Sequence, residues 1–203
     1  MLQYTGERVI PELMKPTNGL LLEHIARYYF SYPYAKGRML DIACGVGYGT
    51  SMVTKANKKD LSEVIGVDID ESTIQYAKGK YYHPLISYQQ GDAVDSDLPS
   101  KLGQFDTILS FETLEHIAAE TQFLLNLYQM LKPGGTLVIS TPFGRGRGKP
   151  TNEPFHVHQL TINEFKGLFH NYTDVSFFGQ RGVLFQPLDT SHYFSLGIAV
   201  CRK

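Results

Sequence analysis

Two glutamates and two histidines are the residues of this sequence best suited to bind a divalent metal ion. Glu112, Glu115 and His116 are spaced i, i+3 and i+4, so at the start of a helix their side chains would converge on one side. Carboxylate oxygens with imidazole suit Mg²⁺ or Mn²⁺, which could lower the pKa of a bound hydroxyl and orient it. His156, beyond a long loop, is the predicted fourth ligand, whereas His158 would point the opposite way in an extended segment.

The same side chains also allow an interpretation without metal. His116 or His156 would then be the general base, since a neutral imidazole titrates near the working pH. The two glutamates would only favour a helix N-terminus, by roughly 0.3–1 kcal/mol each. His83, His170 and His192 have no motif around them and are assigned no role.

A glycine-rich turn, DIACGVGYG from Asp41 to Gly49, lies between a predicted strand and a predicted helix. Glycines let the backbone approach a ligand closely, and the helix N-terminus offers unpaired N–H groups. Asp68 closes the next predicted strand, where a carboxylate can accept hydrogen bonds from both ribose hydroxyls. These features together predict a nucleoside ligand.

The charges near the turn narrow the choice of nucleoside. Asp41 would repel a pyrophosphate at close range but would favour a cationic ligand. S-adenosylmethionine carries an adenosine, an ammonium and a sulfonium, so it suits acids at the turn and at the ribose better than NAD does. Asp92, after the third predicted strand, could accept a hydrogen bond from the adenine amino group; alternatively, it only caps a turn.

The elements that must position these residues follow an alternating pattern of strands and helices from residue 36 onward. This pattern predicts an α/β, Rossmann-like, seven-stranded and mostly parallel sheet with helices on both faces and an antiparallel C-terminal edge hairpin. The predicted strands are Arg38–Ala43, Glu63–Asp68, Leu85–Gln89, Phe105–Ser110, Gly135–Thr141, Thr173–Phe178 and Phe194–Cys201. The predicted helices are Leu20–Phe30, Thr50–Ala56, Ser72–Lys80, Glu120–Leu131 and Ile162–Phe169.

The length of 203 residues predicts a single domain, with an N-terminal helical lid over residues 1–35 and a loop insertion over residues 143–155. Arg145, Arg147 and Lys149 in that loop could grasp a phosphate, or they could simply be solvated. Tyr4, Arg8 and Arg27 could close over the cofactor or form ordinary surface pairs.

Composition excludes several classes of protein. Hydrophobic residues at 42%, charged residues at 19% and a net charge of −1 exclude wholesale disorder and a strongly basic nucleic-acid footprint. No stretch is long and apolar enough for a membrane span or a signal peptide, so we expect a cytoplasmic protein with no membrane partner. The oligomeric state is left open, a homodimer included.

Several motifs, in order, resemble those of the class I S-adenosylmethionine-dependent methyltransferases. They are DIACGVGYG, GVDID, GDA, FDTILSFETLEHI and LKPGGTLVISTP, and they cover residues 36–142, with a looser likeness in FHVHQLTINEF. Ala43 departs from the glycine usual in that family. The ExxEH pattern with a distal histidine is similar to the metal site of small-RNA 2′-O-methyltransferases and of ubiquinone-pathway O-methyltransferases.

The resemblance implies a cofactor site. The backbone of Ala43 and Gly45 would contact the methionine part of the cofactor, and Asp41 would orient it. Asp68 would bind the ribose, and Phe111 would lie beside the sulfonium. Adenine would be surrounded by Ile69, Asp92 and Ala93.

The sequence therefore predicts an S-adenosylmethionine-dependent methyltransferase whose partner is a small-molecule methyl acceptor. The N-terminal TGERVIPE and LEHIARY resemble a bacterial subgroup associated with carbohydrate or natural-product pathways, so we expect O-methylation of a small hydroxylated acceptor of the sugar or natural-product type. The ExxEH pattern adds Mg²⁺ or Mn²⁺ assistance to this expectation. The alternatives are metal-free N-methylation of an amine or amino sugar, 2′-O-methylation of RNA, and a regulatory protein that binds the cofactor without catalysis.

Overall fold

A computed structural model describes residues 8–151, 153–189 and 191–203. Its strands are β1 Gly37–Ile42, β2 Leu61–Asp68, β3 Ile86–Gln90, β4 Phe105–Ser110, β5 Leu131–Pro142, β6 Asp174–Arg181, β7 Leu184–Pro187 and β8 Leu196–Arg202. They form an eight-stranded sheet in the order β3-β2-β1-β4-β5-β8-β6-β7. The strands from β1 to β5 pair in parallel, whereas β8 runs antiparallel between β5 and β6, and β7 is the antiparallel edge strand.

Helices cover both faces of the sheet. The helices are α1 Gly19–Ser31, α2 Tyr48–Ala56, α3 Glu71–Lys80, α4 Leu98–Leu102, α5 Glu120–Met130 and α6 Ile162–Gly167. Three of these six begin after a side chain that accepts from otherwise unpaired amides: Asn18 caps α1, Asp70 caps α3, and Thr161 with Glu164 forms a capping box at α6.

The predicted α/β sheet, mostly parallel with antiparallel C-terminal strands, is confirmed, but it has one strand more than predicted. The additional strand is β7, which follows a turn at Gly182 with a φ of +57° and pairs with β6. Its sequence LFQP is mostly exposed and lacks alternating apolar residues, so it gave no strand signal. The predicted C-terminal strand therefore lies inside the sheet, and β7 forms the edge.

The core consists of two apolar layers on opposite faces of the sheet. Successive residues of β1 alternate between them, with Met39 in one layer and Leu40 and Ile42 in the other. This alternation fixes the strand register, since a shift by one residue would exchange the faces. The carboxyl ends of β1, β2 and β4 are thereby held at one edge.

The N-terminal helix packs directly on this framework. Tyr28 of α1 is buried and lies edge-on to Tyr48 of α2 and to Phe111, with ring centroids 5.6 and 5.0 Å away. Gly49 makes this approach possible, because a Cβ there would meet the Tyr28 ring at 2.0 Å. The part of the predicted lid that the structure describes is thus a packed element of the domain.

The predicted loop after β5 contains neither helix nor strand in its described residues. Gly146 and Gly148 have φ values of +104° and +68°, which residues other than glycine rarely adopt, and they allow a tight turn in the loop. No helix among the described residues has the length and apolar character needed to cross a bilayer.

We predict that Gly49→Ala lowers the stability of the protein by roughly 1–3 kcal/mol, because the added methyl group would displace the Tyr28 ring. Thermal unfolding of the variant measures this loss. The matched control is Gly79→Ala in α3, where an added Cβ meets no atom within 4 Å, and it should gain roughly 0.5–1 kcal/mol. Equal melting temperatures for the two variants would show that α1 does not pack as described.

Candidate active site

A cavity of about 730 Å³ opens at the carboxyl ends of the parallel strands. It lies where the strand order reverses, since β1 is flanked by β2 on one side and β4 on the other, and open α/β sheets bind ligands at this point. The walls come from the turn after β1, the ends of β2, β4 and β5, and α1. Its lining includes Ala43, Gly45, Asp68, Phe111, Glu112, Glu115, His116, His156, Gln159, Tyr193, Leu20, His24 and Tyr28.

The turn after β1 is held in a left-handed conformation. Ala43, Gly45 and Gly47 have φ values of +58°, +55° and +83°, and at the non-glycine position this conformation costs of order 1–3 kcal/mol. Ala43 thus holds a conformation that favours glycine, the residue that the resemblance assigns to this position. The Gly45 amide donates to Asp68 Oδ2 at 2.9 Å, which ties the turn to the end of β2.

Asp68 occupies the position predicted for ribose binding. Its Oδ1 also accepts from the Asp70 amide at 3.0 Å, so both carboxylate oxygens are oriented by the backbone. Burial raises the pKa of Asp68, although these two amide bonds and the charge of Arg8 oppose the rise. Arg8 itself forms an ion pair with Asp70 at 2.7 Å. Tyr4 lies outside the described residues.

Asp41 does not line the cavity but lies behind the turn. It is 1% exposed and accepts from Thr50 Oγ1 at 2.6 Å and from Tyr28 Oη at 3.4 Å. Burial raises the pKa of Asp41 to about 7, and the nearby charge of Asp68 adds to the rise. Asp41 thus joins β1, α2 and α1, and any effect on a ligand would pass through these partners.

The three residues predicted around adenine lie outside the cavity, on a solvent-accessible surface that we call the shelf. The Ile69 side chain is 64% exposed, Asp92 is exposed and Ala93 is half-buried. Asp92 Oδ1 accepts from the Val94 amide at 3.0 Å, which is the turn-capping role given above as its alternative. A flat group could lie on this shelf without enclosure.

The predicted convergence of Glu112, Glu115 and His116 on one side of a helix is wrong. Residues Leu114–His116 form a single 3-10 turn, and Glu112 has a φ of +49°, which directs its side chain away from Glu115 and His116. Glu112 Oε1 accepts from Ser140 Oγ at 3.0 Å, and its Oε2 lies 3.9 Å from Arg27. Among the described residues, Glu112 is therefore outside the group that could hold a metal.

That group consists of Glu115, His116 and His156, whose potential ligand atoms lie within 4.8 Å of one another. Glu115 is 1% exposed, and its Oε2 accepts from Thr141 Oγ1 at 3.0 Å. The two imidazole rings meet edge-on with centroids 4.9 Å apart. Burial and the charge of Glu112 raise the pKa of Glu115 well above its usual value, a rise that a cation would oppose.

Each histidine of the group forms a hydrogen bond through Nδ1. His116 Nδ1 lies 3.0 Å from the Phe155 carbonyl oxygen, so it donates there and Nε2 becomes the ligand nitrogen. Gln159 Nε2 lies 3.0 Å from His156 Nδ1, so in this orientation the amide donates and Nδ1 accepts. With the amide oxygen turned toward the ring instead, Nδ1 would carry the proton and His156 would offer Nε2 as a ligand.

His158, expected to point away from His156 if the segment is extended, is buried, and its Nε2 lies 3.5 Å from Glu120 Oε2. It is directed away from the group of Glu115, His116 and His156 by this contact with α5.

From the sequence, His24 had no assigned role, and Arg27 was expected to close over the cofactor or to form an ordinary surface pair. Arg27 is buried, donates to Gln180 Oε1 at 2.8 Å and faces Glu112. His24 lines the cavity, and burial together with the charge of Arg27 lowers its pKa well below the usual value. Both residues lie on the polar side of the predicted amphipathic helix.

A doubly wound sheet with a strained turn after β1 and a carboxylate at the end of β2 defines a Rossmann-like, nucleoside-binding protein. Residues 40–139 match the methyltransferase domain family. A "Probable S-adenosylmethionine-dependent methyltransferase" of Mycolicibacterium smegmatis is 30% identical over 171 residues, which are 82% of this chain and 63% of that protein. Residues 40–139 thus form a methyltransferase domain whose relatives are S-adenosylmethionine-dependent methyltransferases.

Further comparisons agree with this assignment. A ubiquinone biosynthesis O-methyltransferase of Nitrobacter winogradskyi is 38% identical over 106 residues, covering 51% of this chain and 38% of that protein. The chain therefore spans less than two thirds of either curated relative. The crystal structure of a SAM-dependent methyltransferase from Archaeoglobus fulgidus matches with a TM-score of 0.66 at 20% identity, over 92% of this chain and 95% of that one, which supports the fold.

Asp41 should make stability depend on pH. Its folded-state pKa, about 7, exceeds the ordinary value of 3.8, so the stabilisation is complete below pH 3.8 and is lost as pH rises through about 7. We predict that Asp41→Asn removes up to about 4 kcal/mol of this dependence. Melting temperatures measured across this pH range test the prediction.

The control for this experiment is Asp60→Asn, which changes an exposed aspartate in the turn before β2. It should keep the pH dependence of the unmodified protein. If the curve for Asp41→Asn runs parallel to that of the unmodified protein, the Asp41 carboxyl does not titrate as described.

Proposed function

We propose that this chain transfers a methyl group from S-adenosylmethionine to a hydroxyl of a small acceptor, assisted by a divalent cation. The observation that carries the proposal is the group of Glu115, His116 and His156 on the wall of the cofactor cavity. An O-methyltransferase among the similar proteins, which matches over 51% of this chain, supports an oxygen acceptor.

The cofactor would be held by the backbone of the turn after β1 and by the carboxylate at the end of β2. Asp68 would accept hydrogen bonds from the ribose hydroxyls, and the backbone of Ala43 and Gly45 would contact the methionine part. Adenine would lie on the shelf of Ile69, Asp92 and Ala93, which fits a flat group exposed on one face. Phe111, buried after β4 and lining the cavity, would lie beside the sulfonium.

Methyl transfer is an in-line displacement from a sulfonium that is already a good leaving group, so alignment of acceptor and cofactor supplies much of the acceleration. The remaining requirement is loss of the proton of the acceptor hydroxyl. A bound Mg²⁺ or Mn²⁺ would lower the pKa of that hydroxyl and stabilise the alkoxide. Glu115 would hold the ion from its buried position, and His116 and His156 would complete the protein ligands.

The ligand set fits such an ion in chemistry and in support. Glu115 supplies a hard oxygen whose own pKa is raised by burial, so a nearby cation would restore its charged form. Thr141 and the Phe155 carbonyl fix Glu115 and His116 from outside, as is common around protein metal sites. Without the ion, His116 or His156 would act as the general base in the same place.

We predict that Asp68→Ala weakens binding of S-adenosylhomocysteine by at least about tenfold, because a charged acceptor of two hydrogen bonds is lost. His116→Ala should bind it normally but lose roughly 10²–10⁴-fold in turnover, as expected for a group that acts on the acceptor proton. Calorimetry and transfer of labelled methyl to an acceptor pool give the two readings. Equal loss of binding in both variants would contradict these assignments.

We further predict that Glu115→Gln weakens Mn²⁺ binding by at least about tenfold, since it removes the only charged ligand of the group. Quenching of the free Mn²⁺ signal in electron paramagnetic resonance measures this directly. Glu153→Gln is the control, because Glu153 lines the same cavity outside the group. His156→Gln provides a second test should Glu115→Gln fold poorly.

Metal chelation then separates the mechanisms. Loss of turnover in EDTA, restored by Mn²⁺, is expected. Full turnover in EDTA, together with unchanged Mn²⁺ binding in Glu115→Gln, would instead favour transfer without metal, with a histidine base or to a neutral amine.

A further inference from the structure

We propose that the loop after β5 forms an anion-binding subsite that receives a phosphate or diphosphate ester group of the methyl acceptor. This inference rests on the proposed function and specifies its substrate class. A second cavity, of about 240 Å³, lies against the loop and is lined by Arg145, Lys149, Thr151, Gln159 and Tyr193 among others. None of its lining residues is acidic.

The loop sorts its three cations into different roles. Arg147 forms an ion pair with Glu120 at 2.7 Å, and its amide donates to Glu164 Oε1 at 3.1 Å. Arg147 therefore anchors the loop to α5 and α6. The tight turn at Gly146, closed by the Lys149 amide donating to the Gly146 carbonyl at 3.3 Å, leaves Arg145 and Lys149 on the second cavity.

The carboxylates described near Arg145 and Lys149 do not compensate their charges. Within the described residues, neither forms an ion pair, and the nearby Glu120 and Glu164 are already engaged by Arg147. Two cations around one small cavity repel each other unless an anion lies between them. A guanidinium offers a planar fork and an ammonium a point charge, a combination that suits phosphate oxygens.

The second cavity adjoins the proposed catalytic group. Gln159 and Tyr193 line both cavities, and the Gln159 amide lies 3.0 Å from His156 Nδ1. An acceptor whose phosphate is bound by Arg145 and Lys149 can therefore extend past Gln159 with its hydroxyl directed at His156. The exposed ring of Tyr193, 81% accessible, would cover the part of the acceptor between the two groups.

The test is calorimetric titration with inorganic pyrophosphate. The double variant R145Q/K149Q should weaken its binding by at least about tenfold, because two charge-assisted contacts are lost. The control K58Q/K59Q removes the same charge from the exposed turn between α2 and β2 and should retain the affinity of the unmodified protein. Undetectable pyrophosphate binding by the unmodified protein, or equal weakening in both double variants, would overturn the proposal.

Failure of the subsite can be distinguished from failure of the proposed function. Neither residue lines the cofactor cavity, so R145Q/K149Q should bind S-adenosylhomocysteine and Mn²⁺ as the unmodified protein does. Normal binding of both, combined with pyrophosphate affinity unchanged in R145Q/K149Q, would reject the anion subsite alone.

Vesicles identify the source of the phosphate. Sedimentation with phosphatidylcholine vesicles only when phosphatidic acid is present, and its loss in R145Q/K149Q, would support a lipid headgroup as the ligand. Pyrophosphate binding that depends on Arg145 and Lys149, without sedimentation on either vesicle, would support a soluble phosphate ester.

Discussion

The buried carboxyl group of Asp41 joins three elements that lie beside the cavity. It lies on β1, accepts from Thr50 of α2 and from Tyr28 of α1, and is shielded from water. Because an unpaired polar group at this depth would be costly, these contacts fix the N-terminal helix against the sheet. The wall that α1 contributes, including His24, depends on them.

Backbone strain is concentrated at two positions, one after β1 and one after β4. Ala43 and Glu112, at the ends of β1 and β4, are the non-glycine residues with positive φ in the described chain. The buried strands hold them there, since each element is fixed on both sides by its neighbours. The strain at Ala43 turns the Gly45 amide to Asp68, and the strain at Glu112 directs its carboxylate to Ser140, so that Glu115 alone supplies a carboxylate to the group with His116 and His156.

The sequence predicted best what is determined locally. The strands and the turn at Asp41 to Gly49 were found because apolar runs and glycines report directly on burial and backbone freedom. Asp68 was placed correctly at the end of β2 for the same reason. The edge strand β7 gave no such signal, since two-sided exposure removes the apolar alternation.

Side-chain directions near the site were harder to predict. The spacing of Glu112, Glu115 and His116 suggested one helical face, but a positive φ at Glu112 breaks that periodicity and cannot be read from residue types. The burial of Arg27 depends on Gln180, which is 153 residues away in sequence. His158 is turned by its contact with Glu120, another pairing between distant segments. Such long-range contacts determine where the side chains of the site point, and neither composition nor hydrophobic periodicity reveals them.

The distribution of charge gives the cleft a direction. Acidic groups lie at one end, at Asp68 and behind the turn at Asp41, whereas Arg145 and Lys149, which form no ion pair with a described residue, lie beyond Gln159. A cationic cofactor and an anionic acceptor would thus be drawn to opposite ends, because each end repels the other ligand. Under the proposed function, this polarity brings the acceptor hydroxyl, rather than its charged group, to the sulfonium. It also explains why the loop must be anchored by Arg147, since cations on a mobile segment could not fix the distance that methyl transfer requires.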